Sequence, residues 1–174
     1  FKLKSGIMSP VYFDLRVTVS YPKILKQISD QLWEISKDGT FDVMCGVPYT
    51  ALPFATAMSV SSGRPMIMRR KEAKDYGTKK MVEGVYKSGD KCLIVEDVVT
   101  SGASVNETSA SLRLEGLVIT DAVVLLDREQ GGPERIQGDG VKLRAALTVT
   151  KFIHVLEKLK KLDAETCAKV REFV

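Results

Sequence analysis

The stretch Cys92-Leu93-Ile94-Val95-Glu96-Asp97-Val98-Val99-Thr100-Ser101-Gly102-Ala103-Ser104 decides how this chain is read. An apolar run ends in two adjacent acids, then two small apolar residues, then hydroxyls and a glycine. Leu93 to Val95 reads as a buried parallel strand. Thr100 to Ser104 supplies hydroxyl donors and a glycine that lets a ligand approach the backbone, just before a segment with helical periodicity. A helix N-terminus with free N–H groups suits phosphate. The two carboxylates before it would repel phosphate and instead suit sugar hydroxyls, which donate to them. Phosphate on one side and a diol on the other describe a ribose 5-phosphate. The plainer alternative is that Glu96 and Asp97 cap a strand and Thr100–Ser104 is an ordinary turn into a helix.

Outward from this stretch, strand-like and helix-like segments alternate. Val11 to Leu15 is a short extended run, and Ile24, Leu25, Ile28, Leu32 and Ile35 recur at helical spacing. Phe41–Val47 reads as a strand, Ala51–Val60 as a helix and Pro65–Met68 as a strand. A helix from about Val105 to Glu115 is stopped by Gly116, strands are expected at Asp121–Leu126 and Lys142–Val149, and helices at Lys151–Lys160 and Asp163–Phe173. Repeated strand-then-helix order predicts an α/β fold, a mainly parallel twisted sheet flanked by helices. Ligands bind such sheets beyond the carboxyl ends of the strands. Gly46–Thr50, Arg69–Lys71, Glu96–Ser104 and Asp127–Gly132 each follow a strand, so four loops are expected to meet at one crevice.

Composition narrows the classes. The 174 residues suit one α/β domain, and no internal repeat or domain boundary is visible. No apolar run approaches the ~20 residues of a membrane span, and no signal segment opens the chain. Phe1 is not a start methionine, so the expectation is a single domain, residues 1–174, with a truncated N-terminus or cut from a longer protein. Cys45, Cys92 and Cys167 are odd in number and widely spaced, which argues against a disulfide framework and for a reducing, cytoplasmic setting. His154, the sole histidine, sits among apolar residues of a helical pattern and reads as a helix residue rather than a ligand. The formal net charge is +4, with a basic run over Arg69–Lys80. No interleaved basic and aromatic stripe supports nucleic acid, and a polyanionic small molecule explains the run better.

The Cys92–Ser104 stretch resembles the signature of the type I phosphoribosyltransferases, which bind 5-phosphoribosyl 1-pyrophosphate (PRPP). The resemblance implies that Glu96, Asp97, Val98, Val99, Thr100, Ser101, Gly102, Ala103 and Ser104 hold its ribose 5-phosphate. Lys4-Ser5-Gly6, followed by Ser9-Pro10 and the pair Tyr12-Phe13, is similar to the orotate phosphoribosyltransferases and implies a small N-terminal hood. By that resemblance Lys4 reaches both substrates, Tyr12 and Phe13 hold the orotate base with Thr100, and Arg128 in Leu125-Leu126-Asp127-Arg128-Glu129-Gln130-Gly131-Gly132 binds orotate. An arginine there makes chemical sense, because its planar donor fork matches a carboxylate.

Arg70-Lys71-Glu72-Ala73-Lys74-Asp75-Tyr76-Gly77 resembles that family's mobile catalytic loop, which closes over PRPP in the neighbouring subunit of a homodimer with shared sites. Arg70 and Lys71 would hold pyrophosphate and Lys74 would stabilise the departing charge, which makes them, with Asp97, the expected catalytic residues. Val43–Pro53, with Tyr49 and Thr50, resembles the pyrophosphate loop, whose backbone N–H groups can form an anion nest. Many bacterial members carry lysine where Thr50 stands and histidine where Tyr76 stands. Both departures resemble the domain fused to orotidine 5′-monophosphate decarboxylase in eukaryotic bifunctional UMP synthases. The resemblance implies Mg²⁺-dependent transfer from PRPP to orotate in pyrimidine synthesis, with Mg²⁺ bound mainly through PRPP. Two alternatives stay open: another PRPP-dependent base phosphoribosyltransferase, and a non-catalytic PRPP-binding regulator.

Overall fold

The computed structural model describes residues 1, 8–72 and 81–174. After a 3-10 turn at Arg16–Ser20, helix α1 (Pro22–Ser36) opens on a proline. Its fixed φ and missing N–H are harmless in a first turn. There follow β1 (Val43–Gly46), α2 (Ala51–Ser62), β2 (Met66–Arg69), β3 (Val82–Glu83) and β4 (Lys91–Val99). The chain continues through α3 (Ala103–Leu114), β5 (Val118–Asp127), α4 (Gly132–Gly138), β6 (Lys142–Thr148), α5 (Val149–Lys158) and α6 (Ala164–Phe173).

Among the described residues the strands form one six-stranded sheet in the order β3-β2-β1-β4-β5-β6. All neighbours are parallel except β2 and β3. Side chains alternate across the sheet and bury two separate layers. Leu93 and Val95 pack with Leu32, Phe54, Ala55 and Met58 of α1 and α2. Cys92 and Ile94 pack on the opposite face with Val105 and Leu112 of α3 and Ile136 of α4. A third cluster joins Leu126 at the end of β5 to Val149, Ile153, Cys167 and Val170 of the α5–α6 pair. The α/β architecture expected from the alternation is the one that forms.

Val11–Leu15, read as a short extended run, lies outside the strands of the sheet and leads into the 3-10 turn. Two features go beyond the sequence reading. β3 and α4 were not legible: one has two residues, the other seven with a single buried apolar side chain, Ile136, too few to show a period. The signature strand does not stop at the acids. Pairing with β5 continues to Val99↔Asp127, so Glu96 and Asp97 lie within β4.

The connections place the crevice. β1 is followed by β2 on one side, whereas β4 is followed by β5 on the other, so strand order reverses between β1 and β4. Ligands of open α/β sheets bind at this kind of switch point. The β1–β4 ladder ends at Gly46↔Val95, which leaves Glu96 to Val99 projecting past β1.

Candidate active site

A cavity of about 410 Å³ opens beyond the end of β4, lined by Glu96, Val98–Val105, Tyr12, Phe13 and Arg128. One wall is the turn into α3. Gly102 occupies the N-cap position at φ +75°, a left-handed conformation that favours glycine, and no side chain caps the helix. A Cβ there would also lie 2.8 Å from Ile136 Cγ1 and 3.0 Å from the Gly132 carbonyl oxygen. The uncapped amide end of α3 and the hydroxyls of Thr100, Ser101 and Ser104 therefore border the cavity, a setting that suits phosphate.

The two acids differ. Glu96 has the parity of Cys92 and Ile94 and points to the α3 side, where it is 4% exposed and lines the cavity. Asp97 is half-buried and absent from the cavity lining, but its carboxyl stays close enough to act on that of Glu96. The Asp97 N–H donates to Glu96 Oε1 over 2.9 Å. Burial, and secondarily the neighbouring Asp97 carboxylate, push Glu96 well above the ordinary carboxylate range. Glu96 is thus biased towards a neutral acid able to donate as well as accept.

At the other wall stands Arg128, 6% exposed. Its guanidinium carbon lies 5.7 Å from the Phe13 ring centroid and 6.0 Å from that of Phe173, and Nη2 donates to Ser9 Oγ over 3.1 Å. Among the described residues no carboxylate pairs with it. Burial lowers its pKa from the ordinary value. A buried cation without an anion is unfavourable, so the wall is electrostatically matched to an anionic ligand. The Arg128 loop is tied down by Glu129, whose N–H donates to Asp127 Oδ1 over 2.9 Å and whose Oε2 accepts from the Thr150 N–H over 2.7 Å.

Comparison with known proteins agrees with this geometry. Residues 19–157 match the phosphoribosyl transferase domain model. The chain is 51% identical over 176 residues to uridine 5′-monophosphate synthase of Bos taurus, which covers all of this chain and 37% of that protein. It is 46% identical over 155 residues to an orotate phosphoribosyltransferase of Caenorhabditis elegans, covering 88% of this chain and 68% of that one. Among solved structures it superposes on Leishmania donovani UMP synthase with a TM-score of 0.94 at 35% identity, covering 99% of this chain and 38% of the other.

The chain belongs to the orotate phosphoribosyltransferases. It spans little more than a third of the bovine synthase and about two thirds of the nematode enzyme.

Within this phosphoribosyltransferase the expected site residues fall into two groups. Glu96, Val98 to Ser104, Tyr12, Phe13 and Arg128 share the cavity. Tyr49 and Lys71 meet elsewhere, Lys71 Nζ lying 5.6 Å from the Tyr49 ring centroid, because β1 and β2 are neighbours and their following loops emerge side by side. Thr50 is the N-cap residue of α2 beside them, without a side-chain cap bond. The four loops thus leave adjacent strand ends, but among the described residues only two of them line the cavity. Arg70 is turned to Glu83: Nε and Nη2 donate to Oε1 over 3.0 and 2.7 Å. Holding pyrophosphate would require Arg70 to exchange that carboxylate for phosphate. Lys4, Lys74 and Tyr76 lie outside the described residues.

Sequence reading missed three supports of this phosphoribosyltransferase site: the Ser9 hydroxyl and Phe173 ring at Arg128, and the Glu129 tie to α5. Each joins residues distant in sequence and carries no local signal. Cys92 is the small buried residue expected on the strand, and His154 lies on a helix as its pattern indicated. Cys45, Cys92 and Cys167 are free and buried, burial pushes the Cys45 thiol up to about 11, and His154 is an exposed residue of α5. Among the described residues no helix is long and apolar enough to cross a membrane.

Proposed function

We propose that this chain transfers the ribose 5-phosphate of PRPP to N1 of orotate, giving orotidine 5′-monophosphate and pyrophosphate. Arg128 carries the reading: a buried guanidinium that no carboxylate pairs among the described residues, facing a cavity whose far wall suits phosphate, fits a base that bears a carboxylate. Lys4, Tyr12, Phe13 and Thr100 complete the orotate side. Tyr12 is supported from outside the cavity by Arg16, whose Nη2 donates to its hydroxyl over 3.1 Å.

Deprotonated orotate is already a nucleophile, so the protein's task is orientation and charge. The α3 turn, Thr100 to Ser104, holds the 5′-phosphate, while Val98 and Val99 carry the chain to it. Glu96 and Asp97 hold the ribose hydroxyls. Because burial biases Glu96 towards its neutral form, the ionic share of oxocarbenium stabilisation falls mainly to Asp97. Tyr49, Thr50, Arg70 and Lys71 receive pyrophosphate with Tyr76, and Lys74 stabilises the charge on its leaving oxygen. The site fits magnesium carried mainly by PRPP oxygens, since Mg²⁺ pairs one or two carboxylates with substrate oxygens and half-buried Asp97, three residues before the phosphate turn, is a hard oxygen donor. When bound, the ion would neutralise pyrophosphate charge.

The working unit in this reading is a homodimer with shared sites. Exposed Val17, Val19, Tyr21 and Ile24 offer apolar surface to a second copy. Fusion to orotidine 5′-monophosphate decarboxylase is supported by the chain spanning only 37% of the bovine synthase. The test is loss of orotate absorbance with PRPP and Mg²⁺, with hypoxanthine, adenine and uracil as competing bases. Selective consumption of orotate is expected; no consumption, or equal use of another base, overturns the assignment.

A further inference from the structure

Arg128 leaves the end of β5 on a loop, yet its guanidinium is held by side chains far from it in sequence, Ser9, Phe13 and Phe173. Phe13 lines the cavity and can meet a substrate directly. Phe173 does not line it. It forms part of a separate groove with Met8, Ser9, Pro10, Lys169 and Glu172, behind the arginine. The α5–α6 pair backs both rings. Phe152 of α5 meets Phe13 edge-on at 6.0 Å, and Phe173 ends α6, whose Cys167 and Val170 are buried in the cluster with Ile153. The start of α6 is fixed by Asp163, whose Oδ1 accepts from the Thr166 N–H over 2.8 Å.

We propose that Phe173 is a positioning residue for base recognition: α6 presents its ring behind Arg128 and holds the guanidinium plane towards the carboxylate of orotate. The inference rests on the assignment of Arg128 to orotate. A long side chain carries several rotatable bonds, and the one hydrogen bond that holds it among the described residues, to Ser9, leaves the fork free to turn about it. Ring faces attract the guanidinium without occupying its N–H donors. The remaining donors stay available for the carboxylate, and the ordering entropy is met before the base arrives.

The test uses steady-state kinetics on the full-length protein that carries this chain, with Phe173→Ala, Phe173→Leu, Phe173→Tyr, Arg128→Ala and the Arg128→Ala/Phe173→Ala double variant. Phe173→Ala is expected to raise KM for orotate about fivefold and to leave KM for PRPP and kcat within about twofold. Phe173→Leu keeps apolar volume in α6 and still raises the orotate KM, while Phe173→Tyr restores it. In the Arg128→Ala background, removal of Phe173 adds nothing, as for two residues acting through one contact. An unchanged orotate KM in Phe173→Ala and Phe173→Leu, equal rises for both substrates, or additive losses in the double variant overturn the positioning role. If Arg128→Ala is orotate-selective while Phe173→Ala is silent, only that role falls. If Arg128→Ala weakens both substrates alike, the assignment of Arg128 itself falls.

Discussion

Gly132 and Val99 are packed so closely that a Cβ added to Gly132 would stand 2.3 Å from Val99 Cγ1, and 2.6 Å from the Thr100 carbonyl oxygen. The start of α4 therefore rests on the backbone of the turn that borders the phosphate end of the cavity, and Gly102 returns the contact against the Gly132 carbonyl. Gly132→Ala must displace Val99 and Thr100. Overpacking of this kind costs about 1–3 kcal/mol. A lower melting temperature with a raised KM for PRPP is expected, read by thermal unfolding and initial rates; unchanged values for both would show that the turn does not depend on this contact.

Glu96 makes stability depend on pH. Its folded carboxyl keeps its proton above the ordinary 4.5, so between that value and its folded value the native state binds more protons than the unfolded chain. The contribution is present at low pH and is lost as pH rises through the folded value. Glu96→Gln removes this term. The melting temperature of the parent protein relative to Glu96→Gln should fall as pH is raised from about 4.5 towards 8. A difference that is flat or grows over that range would refute the raised carboxyl.

The unequal burial of the adjacent acids predicts unequal chemistry. In the proposed reaction Asp97 balances the developing sugar cation, so Asp97→Asn should lower kcat about a hundredfold. Glu96→Gln keeps a donor and an acceptor in place of an acid already biased towards neutrality, so its kcat loss should be smaller. Equal losses, measured at neutral pH, would contradict the division of roles.

Lys74 owes its assignment to the family resemblance. Lys74→Ala should lower kcat by about 10²–10³ while PRPP still binds, since the charge is needed only as the leaving oxygen becomes anionic. Binding by titration calorimetry and turnover by orotate absorbance separate the two effects. Near-normal turnover would remove Lys74 from the reaction.

The α/β order and the phosphate turn were legible because both are local. The period of α1 appears in Leu25, Ile28 and Leu32, and the Thr100–Ser104 turn lies within five consecutive residues. The unequal burial of Glu96 and Asp97 had no local signal, because it depends on β4 continuing through both acids to the cavity wall. The Arg70–Glu83 pair depends on β3, a two-residue strand set against β2 by antiparallel pairing, and nothing in its sequence marks it. Ser9 and Phe173 are joined to Arg128 only by the fold.

The hydrogen bond from Arg128 to Ser9 spans 119 residues, and the β1–β4 ladder that flanks the crevice joins Val43 to Cys92. Contacts of such long range carry a loop-closure cost that local helices do not, so they form late when a chain collapses. The wall around Arg128 is then expected to assemble after the helices. On dilution from denaturant, the helical circular dichroism signal should return before orotate turnover does; a simultaneous return would show that the contacts around Arg128 form with the helices.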